Sequence, residues 1–417
     1  MQPIIAEETG IETFQALISL KPVYALTVGC RTLYEKFIHA AAGCTPLTWH
    51  MRSRIAPLWA EQHPGHTINQ ATESDLLLIN GRILADADGI RQLLDEPPPP
   101  GTICMQEGAF IAARLTATQL CGHGNTQLPE LIDTSQLHPQ LRTEHRTGYR
   151  LLNGIWELIA AHPDELRRDA ETLPLGLHEG ERHPSVIMVN PGAIHIGAGA
   201  RIHPGAILDA TEGFISIGAG ATVEHQALLA NNIVLAPHAR IRATARIYSN
   251  VSIGSQSKIG GEVEDSIIEA CANKQHDGFL GHSYLSSWCN LGAGTTTSDL
   301  RNNYSLIKLR IGTKQYETGM QFLGLLIGEH AKSAINTSFN TGTIAGMASN
   351  IFGSGFPPRQ IPPFSWGGSD HAEPCDTDKA TETARTVMAR RGITMTKHYE
   401  TLFRLAASLE TSRHITT

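Results

Sequence analysis

From Ile217 onward the chain keeps a six-residue clock: Ile217, Val223, Leu229, Leu235, Ile241, Ile247, Ile253 and Ile259 follow without a break. An earlier run at Ile196, Ile202 and Leu208 shares the period, offset by a short insertion at 211–215. Gly or Ala often follows the aliphatic residue, as at Gly197, Gly218, Ala236, Gly254 and Gly260. An α-helix cannot use this pattern, because six residues make about 1.67 helical turns and the aliphatics would wander around the axis. A triangular solenoid can use it. Each six-residue unit forms one side, its aliphatic residue points inward onto the coil below, and small residues allow tight corners. The period therefore predicts a left-handed parallel β-helix of hexapeptide repeats over 181–368.

The clock falters after Gly260, where the chain from Cys271 to Trp366 becomes richer in Asn, Thr and Gly. Phrases such as Asn290-Leu291-Gly292-Ala293-Gly294 and Ile327-Gly328 still read as coils interrupted by loops, and such loops mark a functional face. A chain of 417 residues exceeds one ordinary core. Short apolar runs and loop punctuation, including Pro97–Pro100, suit an α/β domain over 1–128. Leu151, Leu152, Ile155, Trp156, Leu158 and Ile159 predict a helical arm within 129–180, with the boundary near 178–184. A tail at 369–417 reads as helical over 381–409 with Gly392 as a break, placed to cap the open end of the solenoid or a neighbouring subunit.

With a net charge of -7 there is no basic field for nucleic acid, although a few local cations suffice for a sugar phosphate. The seven cysteines, Cys30, Cys44, Cys104, Cys121, Cys271, Cys289 and Cys375, are scattered and never form C-x-x-C. They read as buried thiols in a reducing compartment, with no metal site. Neither a secretory leader nor an apolar run long enough for a membrane span is evident, so a cytoplasmic location is expected.

The order of domains, together with the phrase from Asn273 to Leu309 and the later run from Thr318 to Gly368, resembles the bifunctional N-acetylglucosamine-1-phosphate uridyltransferase/glucosamine-1-phosphate acetyltransferases. It is most similar to their divergent sugar-nucleotidyltransferase branch. In the first half the resemblance rests on the phrases at 21–37, 75–84 and 110–115, and it covers nearly the whole chain to Gly368. It implies a nucleotidyltransferase-like N-terminal domain and a β-helix that trimerises and moves an acetyl group from acetyl-CoA to a sugar amine.

Amide formation from a thioester needs a base, donors for the developing oxyanion, and groups that hold the sugar phosphate. The resemblance assigns the base to His282, although its spacing to Tyr284 is one residue shorter than the family's His-x-x-Tyr. His276, one hexapeptide unit earlier, is the runner-up, with the two imidazoles expected on adjacent coils. A hydrogen-bonded loop residue is the alternative for either. Asn303-Tyr304 matches a sugar- and phosphate-contacting pair, and Lys308 lies near a family lysine; Lys274 is a further phosphate contact. Asn290, Gly292, Ala293 and Gly294 read as a corner whose amides approach the acyl donor.

The first half departs from the family's Gly-rich phosphate loop, keeping Gly29, Arg31 and Lys36 as its thin remnant. Asn80-Gly81-Arg82 stands where the family has Asn-Gly-Asp, the aspartate being a Mg²⁺ ligand. Arginine cannot ligate Mg²⁺, though its fork can hold a phosphate. A reassigned nucleotide site, using Mg²⁺ only if active, and a retained structural domain both stand. Three functions follow: an acetyl-CoA-dependent N-acyltransferase on an amino-sugar phosphate or nucleotide-linked amino sugar, a sugar-1-phosphate nucleotidyltransferase alone or combined with it, and a non-enzymatic homotrimeric scaffold.

Overall fold

The structure, a computed structural model, describes all residues except 44, 45, 85, 86, 138–140, 370, 416 and 417, and omits also the side chains of 87, 88 and 410–415. The chain divides into two compact units. One comprises Met1–Leu26, Arg31–Gly154 and Lys397–Leu402; the other comprises Thr27–Cys30, Ile155–Thr396 and Phe403–Thr417.

The first unit is α/β, as the apolar runs imply. Its seven-stranded sheet runs in the order Arg142–His145, Thr102–Gln106, Ala109–Thr116, Asp75–Asn80, Gln2–Ala6, Thr48–His50, Thr67–Ile68. Gln2–Ala6 pairs in parallel with both its neighbours, while Ala109–Thr116 is antiparallel to both of its own. Ile4, Leu76, Leu78, Ile103 and Ala113 form part of its buried core.

Among the described residues, the expected helical arm is largely absent from the stretch before 156. Only Trp156–Ala170 forms a long helix, and it belongs with the second unit. The stretch before it holds a single turn at Thr134–Leu137 and two short strands, Arg142–His145 and Arg150–Leu151. The apolar positions from Leu151 to Ile155 precede the helix, so helical spacing alone misplaced its start.

The second unit carries a parallel β-helix, as the six-residue period implies. Successive strands enter three different parallel sheets, and each pairs with the equivalent strand one coil away. Ile217, Leu235 and Ile253 stand in register, as do Val223, Ile241 and Ile259, so three ticks of the clock make one coil. All these side chains are buried in one cluster with Leu229 and Ile247.

The stack does not end where the clock falters. The register runs on from Ile253 to Ile268 and then to Leu285, so coils continue while their corners shorten. Ile259 is followed in register by Lys274, a lysine in a column of aliphatics. Between Thr296–Thr297 and Leu325–Ile327 the chain leaves the coil to form an antiparallel hairpin, Lys308–Ile311 with Lys314–Glu317.

The tail forms helices Thr377–Ala389 and Lys397–Ile415, with Gly392 between them at φ +71°. Within the second unit it lies along one face of the solenoid, not only over its open end. Arg391 donates to the Gln256 carbonyl and to Asn273 Oδ1 (2.8 and 2.7 Å), and the Phe403 ring meets those of His330 and Phe364. Among the cysteines, Cys44 lies outside the described residues. The others are free thiols, but only Cys104, Cys271 and Cys289 are fully buried, whereas Cys30, Cys121 and Cys375 are half-buried.

Candidate active site

One corner of the β-helix is built from a column of polar residues in the left-handed region. Asn232, Asn250, Asp265 and His282 have φ of +50°, +58°, +42° and +46°. Asn, Asp and His tolerate this conformation better than other side chains, and each occupies a successive coil. The column is tied together: Asn232 Nδ2 donates to Asn250 Oδ1 (3.0 Å), and Asn250 Nδ2 to Asp265 Oδ1 (2.8 Å).

His282 continues this column and is gripped from the next coil. Its Nδ1–H donates to Asp299 Oδ2 at 2.8 Å, while Nε2 lies 3.7 Å from Asp265 Oδ2. Phe322 stacks on the imidazole, with ring centroids 5.0 Å apart and an interplanar angle of 24°. Gly281 makes the grip sterically possible, since a Cβ there would lie 2.3 Å from Asp299 Oδ2. Burial disfavours the imidazolium, but the Asp299 hydrogen bond and the charges of Asp265, Asp299 and Glu264 outweigh it, so the pKa is raised above its ordinary 6.5. Burial likewise raises the Glu264 carboxyl, an effect that His282 opposes and that Asp299 and Asp265 reinforce. Glu264, His282 and Asp299 could offer three ligand atoms within 4.8 Å of one another. The Nδ1–H bond to Asp299 occupies one of the two imidazole nitrogens, leaving Nε2 as an acceptor.

Asp265, Asp299, Glu264 and Phe322 were not among the residues singled out from the sequence. Their signal is a coil period: Asp299 lies 17 residues after His282, which lies 17 after Asp265. Reading in sixes rather than in whole coils hides that alignment.

His276 is exposed and belongs to the same coil as His282, not to an adjacent one. It follows the strand Asn273–Lys274 of one sheet, whereas His282 follows Phe279–Gly281 of another, so one hexapeptide carries the chain around a corner. His276 lines a cleft of about 380 Å³ with Arg242, Thr244, Asp277, Ala293 and Gly294.

Lys274 is not presented for a phosphate. It is 2% exposed, and its Nζ donates to the Gly260 and His276 carbonyls, both at 2.9 Å. Burial pushes its pKa down to about 8 against the opposing pull of Asp277 and Glu262. Tyr284 is also withdrawn. Fully buried, it donates to Glu269 Oε1 at 2.5 Å and accepts from the Thr27 amide at 3.0 Å; burial and Glu269 hold its pKa well above 10.

Asn303 and Tyr304 lie exposed on the insertion, where Asn303 Oδ1 caps the Ser305 amide at 3.2 Å. Lys308 pairs with Glu317 across the hairpin at 2.7 Å. At the Asn290–Gly294 corner most amides are committed between coils: Asn290 to the Ala331 carbonyl, Gly292 to that of Ser333 and Gly294 to that of Asp277. Among the described residues, the Ala293 N–H alone of these has no acceptor.

The nucleotide-site candidates are occupied by structural contacts. Gly29 packs on the helix Trp156–Ala170, where a Cβ would lie 2.4 Å from Asp169 Oδ2. Its amide donates to His162 Nδ1 (3.1 Å), and the Cys30 amide to Asp169 (2.9 Å), leaving no amide nest for a phosphate. Arg31 and Lys36 are half-buried, flanking a helix start closed by a Thr32–Glu35 capping box. Ligands of open α/β sheets bind beyond the carboxyl ends of the strands. Here that position holds two buried ion pairs, Arg82 with Glu8 and Arg52 with Glu7. Arg82 also donates to the Leu152 carbonyl (2.7 Å), and Asn80 donates to Glu8 (2.7 Å) and to the Phe110 carbonyl (2.8 Å). Asp75 is held by Arg114 at 2.8 Å. Glu7 and Glu8, the carboxylates at these strand ends, are both paired with arginines, and Arg82 itself offers no oxygen to a metal, so these residues do not fit the Mg²⁺ that the resemblance implies.

Residues 3–177 match a family of sugar nucleotidyl transferases. A "Bifunctional protein GlmU" of Synechococcus sp. (strain CC9311) is 28% identical over 161 residues, 37% of this chain and 34% of that protein. A "Bifunctional sugar-1-phosphate nucleotidylyltransferase/acetyltransferase" of Sulfurisphaera tokodaii is 30% identical over 99 residues, 23% of this chain and 25% of that protein. The aligned parts thus span about a third and a quarter of these relatives' lengths. A solved UDP-N-acetylglucosamine acyltransferase from Campylobacter jejuni aligns with 54% of this chain and 95% of its own, at 11% identity and a TM-score of 0.26.

Two outcomes follow from these placements. Between about pH 8 and the unfolded lysine's value of about 10.4, the unfolded chain holds a proton that folded Lys274 has released. Its contribution to stability therefore rises with pH across that window. Urea unfolding of wild type and Lys274→Met at both ends of it should show wild type gaining stability relative to Lys274→Met as pH rises, since other titrating groups act equally on both; parallel pH dependences would contradict this. For the first unit, pyrophosphorolysis of UDP-N-acetylglucosamine with Mg²⁺ should be undetectable. Turnover that a chelator abolishes would show that a carboxylate outside the Glu7 and Glu8 pairs holds the metal.

Proposed function

We propose that this chain, a divergent member of the GlmU-like bifunctional family, is an acyl-CoA-dependent N-acyltransferase acting on an amino-sugar phosphate or nucleotide-linked amino sugar. The observation that carries the proposal is the His282–Asp299 hydrogen bond, set in a corner that also holds Glu264 and Asp265. A base oriented through one nitrogen by a carboxylate keeps its other nitrogen for a proton from the nucleophile. Three carboxyl groups around it favour a substrate that arrives as an ammonium. This favours the amine of the acceptor, rather than its phosphate, as the group beside His282.

In the reaction, His282 Nε2 takes a proton from the substrate ammonium and later releases it to solvent, and the neutral amine so formed bonds to the thioester carbonyl carbon. The carbon–sulfur bond then breaks, and the thiolate leaves with a proton, giving an amide and a free thiol. Asp299 holds the ring and, with Asp265, stabilises the imidazolium formed in between. The cleft beside His276 suits the acyl donor, with acetyl-CoA the proposed one, and the unpaired Ala293 N–H is the available oxyanion donor.

A trimer with acyl-donor sites between adjacent β-helices is part of the same reading. Ile187, Val189, Ile335 and Phe356 stand exposed on this unit and offer apolar surface to further copies. Light scattering should give three copies per particle; a stable monomer at micromolar concentration would overturn the assembly.

Incubation of glucosamine 1-phosphate with acetyl-CoA tests the chemistry. His282→Ala should remain folded and lose about 10²–10⁴-fold in rate, as expected for a general base, with His276→Ala losing less. The active form is the neutral imidazole. Because Asp299 and its neighbours raise the pKa, the acid limb of the rate profile should fall above pH 6.5. Asp299→Asn removes that support and should move the limb to lower pH. Full activity in His282→Ala, or an acid limb unmoved in Asp299→Asn, would sink the assignment.

A further inference from the structure

A second cavity, of about 340 Å³, lies on another face of the solenoid and has a different electrostatic character. Its floor is a ladder of outward side chains on adjacent parallel strands. Lys258 is in register with Asn273, Asn273 with Asn290, and Asn290 with Lys332. At strand spacings near 4.8 Å the two lysines stand roughly 14 Å apart along the ladder. The tail supplies the opposite wall, with Val387 near the end of the helix Thr377–Ala389 and Arg390 and Arg391 just beyond it.

Four cations line this cavity and no carboxylate does. That is notable in a chain whose net charge is -7. Structural contacts hold some of these groups without neutralising them. Arg391 is fixed by the Gln256 carbonyl and the Asn273 amide oxygen, and Lys332 donates to the His330 carbonyl at 2.8 Å. Lys258 and Arg390 form no ion pair among the described residues. Burial lowers the pKa of Lys258, and the next contributions are all repulsive, from Arg391, Arg240, Arg242 and Arg390. Lys332 is likewise lowered by burial.

A solvated cationic face is the simplest alternative, and the negative end of a helix attracts arginines by itself. The helix end carries only about half a unit charge, however, and accounts for the arginines rather than for two lysines on the facing strands. Cations gathered around a concave space, repelling one another, are what an absent anion would relieve.

We propose that this cavity is a binding site for a small diphosphate-bearing anion, held by Lys258 and Lys332 on one side and Arg390 and Arg391 on the other. A diphosphate carries more charged oxygens than a single phosphate and so can engage more of the four cations at once. Asn273 and Asn290 stand between the cations as neutral hydrogen-bonding groups. Trp288, though part of the lining, is only 8% exposed and is stacked on His330 with ring centroids 5.8 Å apart. It therefore offers no open face to a nucleobase, and recognition rests on the phosphates.

Calorimetric titration of the full chain with inorganic pyrophosphate, UDP, ADP and orthophosphate tests this. Pyrophosphate and both nucleoside diphosphates should bind with affinities within about fivefold of one another, and orthophosphate about tenfold or more weakly. Added salt should weaken all of them. Lys258→Gln and Arg390→Gln should each weaken pyrophosphate about tenfold or more. Without ligand, both variants should melt no lower than wild type, because each removes a repelling charge. Two results would overturn the proposal: no binding of pyrophosphate at about 1 mM, or an affinity unchanged in the Lys258→Gln/Arg390→Gln double variant. A strong preference for one nucleobase would overturn the phosphate-only recognition.

Discussion

The inward stack of aliphatic side chains is the constraint on which the second unit depends. Each coil has three short strands, too little to bury a core alone, so every inward residue must find the equivalent residue of the coil above and below. Ile217, Leu235 and Ile253 show the arrangement, each in register with the next and each buried. Parallel registry then sets what happens at the corners, because every coil must turn at the same places. A turn that needs a left-handed residue on one coil needs one on the next, and the column Asn232, Asn250, Asp265, His282 is the result.

That column explains why a catalytic-type arrangement arises there at all. Stacked corners bring side chains from successive coils within hydrogen-bonding range, and identical amides simply ladder. Replacing an amide by carboxylates and an imidazole turns the same geometry into a charged chain in which Asn250 orients Asp265 and Asp299 orients His282. The chemistry is thus a substitution within a structural motif. The two faces of the solenoid diverge by the same means: acidic groups accumulate at the His282 corner, and lysines accumulate on the ladder from Lys258 to Lys332.

Buried charge has a different meaning in the first unit. Arg82 and Arg52 are paired with Glu8 and Glu7 and also donate to backbone carbonyls, so their hydrogen-bonding capacity is directed inward. Breaking such a pair leaves an uncompensated charge, a cost of about 3–5 kcal/mol. These arginines hold the strand ends where a ligand would otherwise enter. Lys274 is a third case, a cation within the aliphatic column, tolerated because two carbonyls face its ammonium and because its pKa is lowered.

The six-residue period by itself determined the β-helix, because no other regular structure places every sixth side chain in one interior. The α/β character of the first residues and the two tail helices around Gly392 were also legible, as products of local pattern. Side-chain destination was not. Lys274 and Tyr284 lie beside His282 in sequence, yet strand alternation and packing send one into the core and the other beneath the Thr27 segment. Asp299 reaches His282 only because one coil brings residues 17 apart to the same corner, and shortened corners after Ile253 hide that count from a fixed period. By sequence Arg82 suits a phosphate ligand and a structural residue equally; its pairing with Glu8 in the assembled sheet makes it structural. A periodic pattern specifies which way the chain folds; which charges meet depends on registers and turns that only the stacked coils and the assembled sheet establish.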